Sequence, residues 1–489
     1  MTITYPIVRM DINNESVEFT DEDIIKAEVL QEINPVGLML PASTAKLRIF
    51  LQGDLQDKFS PFSNGTYYQS LAAGLAVRIY ESVDSVENYV GKFYLDKWRN
   101  PTEGTIEFDC ICAIGVIGNL QFDGKFYEVA TPVSTIIGDL LNPIAIGFEV
   151  DSVIAAKTLK GYLPGNKTIR ESLQQVCFAV GAYATCAQSD VIKIMDGVIP
   201  IAGAVYPGYY YDDEAAVYDT ALYSDQVVEA PITDLDKSDK QSLNLLQLVT
   251  AVELISHDYS KGITEEEIFS ATLEPGDYKV VYPKPYWEVT ATGVGDRVVY
   301  LALADGTTLL VTADSGTYPD VTILTLYGEF EFQTNSVVLH VPEPGGAVLV
   351  KGKPWIDSTQ SFMYVNPDGV RNYESGAAYD AIDAQYDIST YQREWSVYSP
   401  PNIWKIDNAT LIQAALAPSV LAKVVEYAKL RYQQNITLFP RLDTETGEVK
   451  IVDSLYDKDI VGVVERMVSK LTGGYLMDTE IVGLERIVN

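Results

Sequence analysis

Adjacent carboxylates are the residues of this sequence whose types and spacing could do acid–base chemistry. They stand in two groups, which are Asp212, Asp213 and Glu214, and Glu265, Glu266 and Glu267. A glycosidase uses one carboxyl group as acid and a second as base or nucleophile, so either group could in principle serve. The sequence contains 68 acidic residues, however, and adjacent acids then arise by chance. We interpret both groups as solvated charged surface and predict no catalytic residue.

Metal and nucleophile chemistry would need histidines and cysteines, and the sequence has few of them. It has two histidines, His257 and His340, and four cysteines. Cys110 and Cys112 fall on the same face of a predicted strand over residues 105–112, which indicates buried thiols. A zinc site needs further ligands, and a catalytic triad needs a histidine beside its nucleophile. We predict no metal site and interpret the thiols as part of a core.

The motifs of common enzyme classes are also missing. The sequence has no H-E-x-x-H zinc helix, no glycine-serine-glycine nucleophile elbow, no Walker loop and no glycine-rich dinucleotide fingerprint. Gly293 and Gly295 lie in a predicted turn between strands, where backbone shape accounts for them better than phosphate binding does. The sequence therefore predicts a protein that is not an enzyme, with no catalytic or cofactor-binding residues and no cofactor.

The acidic composition limits the partners of the chain. The formal net charge is −33, from 35 basic and 68 acidic residues, and no segment carries the basic patch that a specific nucleic-acid reader needs. The charge fits acidic walls of a channel that DNA crosses without sticking, or it only keeps a large assembly component soluble. The sequence has no run of about twenty apolar residues and no secretory signal, which predicts a protein that is folded in a cytoplasm or leaves by a route that needs no signal, such as cell lysis.

The elements that position these residues are mostly strands, and the clearest pair covers residues 24–51. In the second arm Ala45, Leu47 and Ile49 alternate with charged residues, which predicts a half-buried strand. A corner at residues 34–37 combines a proline of fixed φ with a permissive glycine, so the two arms form an antiparallel pair. The same pattern returns at residues 461–482, where a turn at 472–474 separates two strands.

The order of these elements resembles the central hub proteins of phage tails and related contractile injection machines. The resemblance covers most of the chain and implies a mainly β fold with α+β parts, in which two tail-tube-like β-barrels bracket a small α/β module and an inserted β-sandwich. It implies the following domains: a first barrel at 1–112, the α/β module at 113–196, a connection and the start of the second barrel at 197–261, the sandwich at 262–353, and the remainder of the second barrel with a flanking helix at 354–489. Residues 245–257 resemble the strand that begins the second barrel.

Three helices stand out in the pattern of apolar residues. Thr131 and Pro132 predict the start of a helix that ends before residue 142. Thr168 and Glu171 form a capping box for a second helix that ends at Gly181. The third helix begins near residue 418, and its apolar face includes Leu421, Val424, Val425, Ala428 and Tyr432.

The resemblance implies a structural virion protein, the hub of a tail tip or baseplate that is assembled in the host cytoplasm. As a homotrimer with two barrels per chain, it would join a sixfold tail tube to a threefold spike or tip and line the DNA channel. Its partners would be tail-tube or distal tail proteins, spike, fibre or tape-measure proteins, and DNA only in transit. Two alternatives remain. One is a receptor- or carbohydrate-binding tail component, which uses the sandwich and the tyrosine-rich stretch at 197–243, and the other is a distal tail ring protein.

Overall fold

The computed structural model describes most of the chain. The described residues are 4–62, 65–83, 86–200, 232–233, 235–293, 298–303, 308–312, 329–333, 335–341, 346–365, 402–439, 444–453, 459–472 and 476–486. The structure is 54% strand and 15% helix, which confirms the predicted mainly β fold class with small α parts.

The strands follow in chain order. They are β1 (Thr4–Ile12), β2 (Glu15–Phe19), β3 (Ile24–Glu32), β4 (Thr44–Phe50), β5 (Ala76–Val83), β6 (Val86–Arg99), β7 (Thr105–Ile111), β8 (Lys125–Pro132), β9 (Phe148–Val150), β10 (Thr158–Leu163), β11 (Ala182–Thr185), β12 (Ile192–Asp196), β13 (Lys237–Leu245), β14 (Ala251–Lys261), β15 (Glu266–Leu273), β16 (Gly276–Val281), β17 (Tyr286–Gly293), β18 (Val298–Leu303), β19 (Thr308–Thr312), β20 (Glu329–Gln333), β21 (Ser336–Val341), β22 (Gly346–Val365), β23 (Ile403–Ile406), β24 (Tyr432–Leu438), β25 (Val449–Asp453), β26 (Asp459–Lys470) and β27 (Leu476–Glu485). The α-helices of the described residues are α1 (Asp54–Lys58), α2 (Ala113–Ile117), α3 (Val133–Leu141), α4 (Ser152–Ala155), α5 (Ile169–Val180) and α6 (Ala417–Ala428).

One twelve-stranded sheet joins the two ends of the chain. Its order is β13-β24-β27-β26-β3-β4-β7-β6-β5-β1-β2, and β25 pairs with β26 beside this path. The predicted alternation in β4 is present, because Ala45, Leu47 and Ile49 are buried while Lys46 is exposed. The predicted C-terminal pair is present as β26 and β27, which are antiparallel, although residues 473 and 474 of the predicted turn lie outside the described part of the chain.

The α/β module packs one face of this sheet. Its strands form a pair, β10-β8, and a three-stranded sheet, β11-β12-β9. The buried residues of α3 and α5 belong to the same hydrophobic core as the inner face of the large sheet, so that module and sheet share one interior. Helix α3 begins one residue later than the sequence predicts, because its N-cap is Pro132 and the Thr131 hydroxyl donates to the Val129 carbonyl instead.

Helix α5 has the predicted ends. The Glu171 amide donates to Thr168 Oγ1, the Thr168 amide donates to the Glu171 carboxylate at 2.7 Å, and Gly181 ends the helix in the left-handed conformation. These hydrogen bonds satisfy amide groups that the helix itself leaves without partners.

Removing this cap should destabilise the module. We expect Thr168→Ala to lower the free energy of unfolding by about 1 kcal/mol, because the variant loses the side-chain acceptor for the Glu171 amide. Thr168→Ser keeps the hydroxyl and is the matched control. Urea titration followed by circular dichroism measures both variants, and an equal loss in the two would contradict the capping role.

The segment from β14 to β23 forms a second body of strands, which we call the inserted body because it lies in sequence between β13 and β24 of the large sheet. A seven-stranded sheet has the order β19-β18-β17-β22-β14-β23 with β15 also on β22, and β16-β21-β20 form a separate sheet. A small core, which includes Val289, Val337 and Val350, lies between strands of both sheets. The predicted first strand of the second barrel, at 245–257, lies mostly in β14, which pairs with β22 and not with the large sheet. The C-terminal strands of the large sheet instead begin with β13, which pairs with β24.

Helix α6 is the predicted helix that begins near residue 418. Val420, Val424, Val425 and Ala428 are buried on its inner side. Tyr432 is not part of this face, because the helix ends at Ala428 and Tyr432 begins β24. In the described part of the chain no helix is long and apolar enough to cross a lipid bilayer.

Candidate assembly site

The two histidines are each held by a carboxylate of a neighbouring strand. His257 Nδ1 lies 2.7 Å from Asp357 Oδ2, and its Nε2 lies 3.3 Å from the Asp407 carbonyl oxygen. His340 Nδ1 lies 2.8 Å from Asp277 Oδ1. Both pairs cross-link adjacent strands of the inserted body, and neither histidine is hydrogen-bonded to a serine, threonine or cysteine side chain within the described residues.

Glu265 and Glu266 are paired with lysines of neighbouring strands and loops, and the cysteines are packed in the core. Glu266 accepts a hydrogen bond from Tyr286 at 2.6 Å and pairs with Lys284 at 2.7 Å, and these partners lower the pKa of its carboxyl group. The first acidic group, at residues 212–214, lies outside the described residues. All four cysteines are free and buried, and burial raises the pKa of the Cys110 thiol. Among the described residues no cluster of three histidine, cysteine or acidic side chains could hold a metal ion.

A cleft of about 760 Å³ lies where the inserted body meets the α/β module. Its aromatic rings pack on each other and on nearby cations. Trp355 stacks on Phe126 with the ring centroids 4.2 Å apart, and Lys261 Nζ lies 5.4 Å from the Trp355 ring. A sugar-binding platform presents a free ring face, whereas Trp355 is only 5% exposed. Trp355 therefore packs the inserted body against the α/β module and is not a free platform.

The large sheet contains the same five-stranded unit twice. The N-terminal unit has the order β3-β4-β7-β6-β5, and the C-terminal unit has the order β13-β24-β27-β26-β25. All neighbouring strands in both units are antiparallel. The second unit is divided in the sequence, because the inserted body and α6 lie between its first strand and its second.

Irregularities at matching places show that the two units share more than strand order. β6 has a register shift between Leu95 and Lys97 against β7, and β26 has the same shift between Val464 and Arg466 against β27. The amide of Gly74 donates to the Leu95 carbonyl at 2.8 Å, and the amide of Gly447 donates to the Val464 carbonyl at the same distance. A β-bulge redirects a strand at a defined place, so a shared bulge fixes the residue equivalence of the two units.

Both glycines precede a strand at equivalent positions and have left-handed backbones. Gly74 has φ +90° before β5, and Gly447 has φ +97° before β25. This conformation is strained for residues with a side chain, which explains why glycine stands at both positions. The two units are therefore one structural repeat within a single chain.

A junction between β3 and β26 joins the two units edge to edge. Residues Arg466–Lys470 of β26 pair antiparallel with residues 28–32 of β3. The Ile33 amide donates to the Glu465 carbonyl at one end of this pairing, and the Leu471 amide donates to the Ala27 carbonyl at the other. The β26 residues that form the junction lie beyond those that pair with β25, so one edge of β26 serves both neighbours.

Charged side chains of alternating sign form a row across this junction. The row lies on the face of the large sheet that is turned away from the hydrophobic core, which we call the open face. One row runs from β6 to β26 through directly paired residues and contains Lys97, Asp109, Lys46, Glu28 and Lys470. Opposite charges on neighbouring strands stabilise a sheet, and like charges destabilise it. In this row each carboxylate lies between two cations, so it does not show the acidic excess that an acidic channel lining predicts.

A buried carboxyl group lies at the bulge of β26. Glu465 forms a hydrogen bond with Tyr427 of α6, whose hydroxyl also accepts from Asn34, while Glu465 Oε1 is buried without a hydrogen-bond partner in the described residues. Burial raises the pKa of Glu465 to about 8, and the neighbouring charges of Glu480 and Glu32 act in the same direction. The sequence does not predict this buried group, because a single glutamate in an apolar strand can be either buried or exposed.

No protein-family model matches the sequence, and no curated protein matches it. Solved structures of tail proteins are similar to the chain. They include the 43 kDa tail protein of prophage MuSo2 from Shewanella oneidensis (TM-score 0.45, 10% identity, 98% of each chain covered), a tail protein from Neisseria meningitidis (TM-score 0.45, 9% identity, 98% of this chain and 96% of that one), and prophage tail protein gp18 from Listeria monocytogenes (TM-score 0.44, 7% identity, 99% of this chain and 95% of that one). These solved structures are tail proteins, the class that the order of elements in the sequence also resembles.

Proposed function

We propose that this protein is a structural component of a phage tail, the hub of a tail tip or baseplate. The observation that carries the proposal is the five-stranded unit that occurs twice in one continuous sheet. A repeated unit joined edge to edge is the geometry of a ring, since each junction rotates one unit relative to the last. In this proposal the chain builds a wall and performs no chemistry.

Three copies of the chain would supply six such units. A ring of this kind presents a pseudo-sixfold face to a sixfold tail tube and a true threefold face to a spike or tip. The partners proposed for the chain are therefore its own copies, tail-tube or distal tail proteins, and spike, fibre or tape-measure proteins. Its location would be the tail tip or baseplate of a virion that is assembled in the host cytoplasm.

The ring would enclose a path for DNA, which we propose is lined by the open face of the large sheet. Free cations in such a path would bind phosphates and slow passage. The row of alternating charges avoids this, because Lys46 and Lys470 each lie opposite Glu28. We propose passage without specific binding.

The alternative of a carbohydrate-binding component has less support from the described residues. Stacking on sugars needs an open aromatic face, and Trp355, which lines the cleft, is 5% exposed and stacked on Phe126. The distal tail ring alternative differs from the hub in copy number, which an experiment can decide.

The mass of the assembled protein tests the proposal. We expect purified protein at micromolar concentration to form a particle three times the 54.0 kDa of one chain, measured by light scattering coupled to gel filtration. Six copies would favour the distal ring, because twelve units would then surround the axis. A protein that remains monomeric at the highest concentration measured would contradict the proposal.

A further inference from the structure

We infer that the copies of this chain join through a second strand pairing that repeats the β3–β26 junction. Residues 242–246, in and just after β13 of one copy, pair antiparallel with residues 97–101 at the end of β6 in the next copy. This inference rests on the proposed ring and goes beyond it, because it names the edges and the register by which the ring closes.

The residue equivalence comes from the repeat itself. The bulges make Lys97 equivalent to Arg466, so residues 97–101 correspond to the part of β26 that forms the internal junction. In the C-terminal unit, Gln434 of β24 is paired on one side with Leu243 of β13 and on the other with Ile481 of β27. In the N-terminal unit, Ala45 of β4 is paired in the same way with Val29 of β3 and Cys110 of β7. Residues 242–246 therefore correspond to residues 28–32, which are the β3 residues of the same junction.

Both edges lack a neighbouring strand within the described residues. β5 pairs with β6 only up to Tyr94, and the next backbone bond on that side is the one from Gly74 to Leu95. β13 pairs with β24 alone and ends the large sheet. An open strand edge invites further pairing, and proteins normally cover or protect it.

Burial distinguishes the internal junction from the two open edges. Gln31 and Met467 face each other in the junction and are 5% and 6% exposed. Their equivalents are Leu245 and Trp98. Leu245 is 62% exposed, and Trp98 is half-buried against the core. The inferred pairing brings these two apolar side chains together, which would explain why a leucine is so exposed at this edge.

The partner that fits these edges is a second copy of the same chain. The two edges belong to different units of one continuous sheet, and the internal junction already shows that the two types of edge are complementary. Each copy offers one edge of each type, so the contact is head to tail and repeats from copy to copy. A repeated contact of this kind closes into a ring when its rotation matches the internal one.

The register can be tested with engineered cysteines. In the internal junction Val468 and Leu30 form a pair without mutual hydrogen bonds, since the bonds are made at Glu465 and Leu471. Pairs of this kind bring their side chains closer together than hydrogen-bonded pairs do. In the inferred contact between copies, Arg99 is the equivalent of Val468, and Asn244 is the equivalent of Leu30. Both side chains are exposed, while the four native cysteines are buried.

Arg99→Cys combined with Asn244→Cys is therefore the in-register variant, and Arg99→Cys combined with Ser242→Cys is the matched control.

We expect the in-register variant to form disulfide-linked trimers under copper-phenanthroline oxidation, seen on a non-reducing gel and reversed by dithiothreitol. The control should link much less, because its cysteines lie about 7 Å apart, beyond disulfide reach. A trimer in which the in-register pair does not link, or links no better than the control, overturns the inferred register and leaves the proposed ring intact. A protein that stays monomeric overturns both.

A charge at the exposed leucine gives a second readout. Leu245→Asp should raise the apparent dissociation constant of the assembly by about tenfold or more, because a carboxylate would face Trp98 across the contact. The thermal midpoint of the monomer should not change, since Leu245 is already exposed in one copy. Assembly that is as tight as in the original protein would overturn the inferred contact.

Discussion

Replacing Gly37 by alanine is expected to lower the free energy of unfolding by about 2 to 4 kcal/mol. Gly37 has φ +68°, and a Cβ atom there would lie 2.7 Å from the Ala182 carbonyl oxygen and 2.8 Å from the Phe178 amide nitrogen. Both atoms are backbone of the α/β module, so neither can swing aside. The glycine closes the turn that the sequence predicts, with its amide donating to the Asn34 carbonyl. It is also where the large sheet approaches the end of α5.

Gly74→Ala is the matched control for this prediction. Gly74 also has a left-handed backbone, with φ +90°, but a Cβ atom there would meet nothing within 4 Å. The control should lose only the conformational part, about 1 kcal/mol. Thermal unfolding followed by circular dichroism gives the midpoints of both variants. Equal shifts would show that the contact with the module does not matter.

The second large effect is a dependence of stability on pH that comes from Glu465. Its pKa in the folded protein is about 8, well above that of an exposed glutamate. Between the unfolded and folded pKa values the folded state binds more protons than the unfolded state, so the free energy of unfolding falls as pH rises. We expect this contribution to be present in full below about pH 4.5 and lost by pH 8, with a total of a few kcal/mol.

Glu465→Gln isolates this contribution. The amide has the shape of the protonated acid and no charge, so the variant should be more stable than the original protein at pH 8 and similar to it near pH 5. The measurement is the difference in urea midpoint between the two proteins at each pH, because other titrating groups cancel in that difference. A difference that is constant from pH 5 to pH 8 would show that Glu465 is not protonated in the folded state.

Local elements of this fold are predictable from sequence because their signals are local. The capping box of Thr168 and Glu171 and the left-handed Gly181 are found where the sequence places them. The alternation of Ala45, Leu47 and Ile49 likewise fixes which face of β4 is buried. In each case a few neighbouring residues decide the conformation.

The repeat itself is not predictable in this way. The similar patterns at 24–51 and 461–482 suggest that β3 and β4 match β26 and β27. The structure instead matches β3 and β4 with β13 and β24, and β6 and β7 with β26 and β27. β13 and β24 form one pair, yet the inserted body separates them in sequence, and strand pairing over such distances leaves no local signal.

The candidate assembly site shows the same limit. Leu245 lies in an apolar stretch that reads as an ordinary strand, and only the sheet order shows that it is at an open edge. Glu465 is one of 68 acidic residues, and only the bulge and Tyr427 show that it is buried. The exposure of Leu245 and the burial of Glu465 both result from contacts between strands that are far apart in the sequence.

The junction between β3 and β26 also governs the order in which the protein can be completed during synthesis. Ala27 and Thr472, which meet at this junction, are separated by 445 residues. At about 5 to 20 residues per second, a ribosome needs roughly 20 to 90 seconds to supply the partner of β3 after that strand has emerged. The nascent N-terminal unit therefore has an unpaired edge throughout this time. Slow or stalled translation should favour pairing between unfinished chains, and chaperone binding to β3 would protect the product.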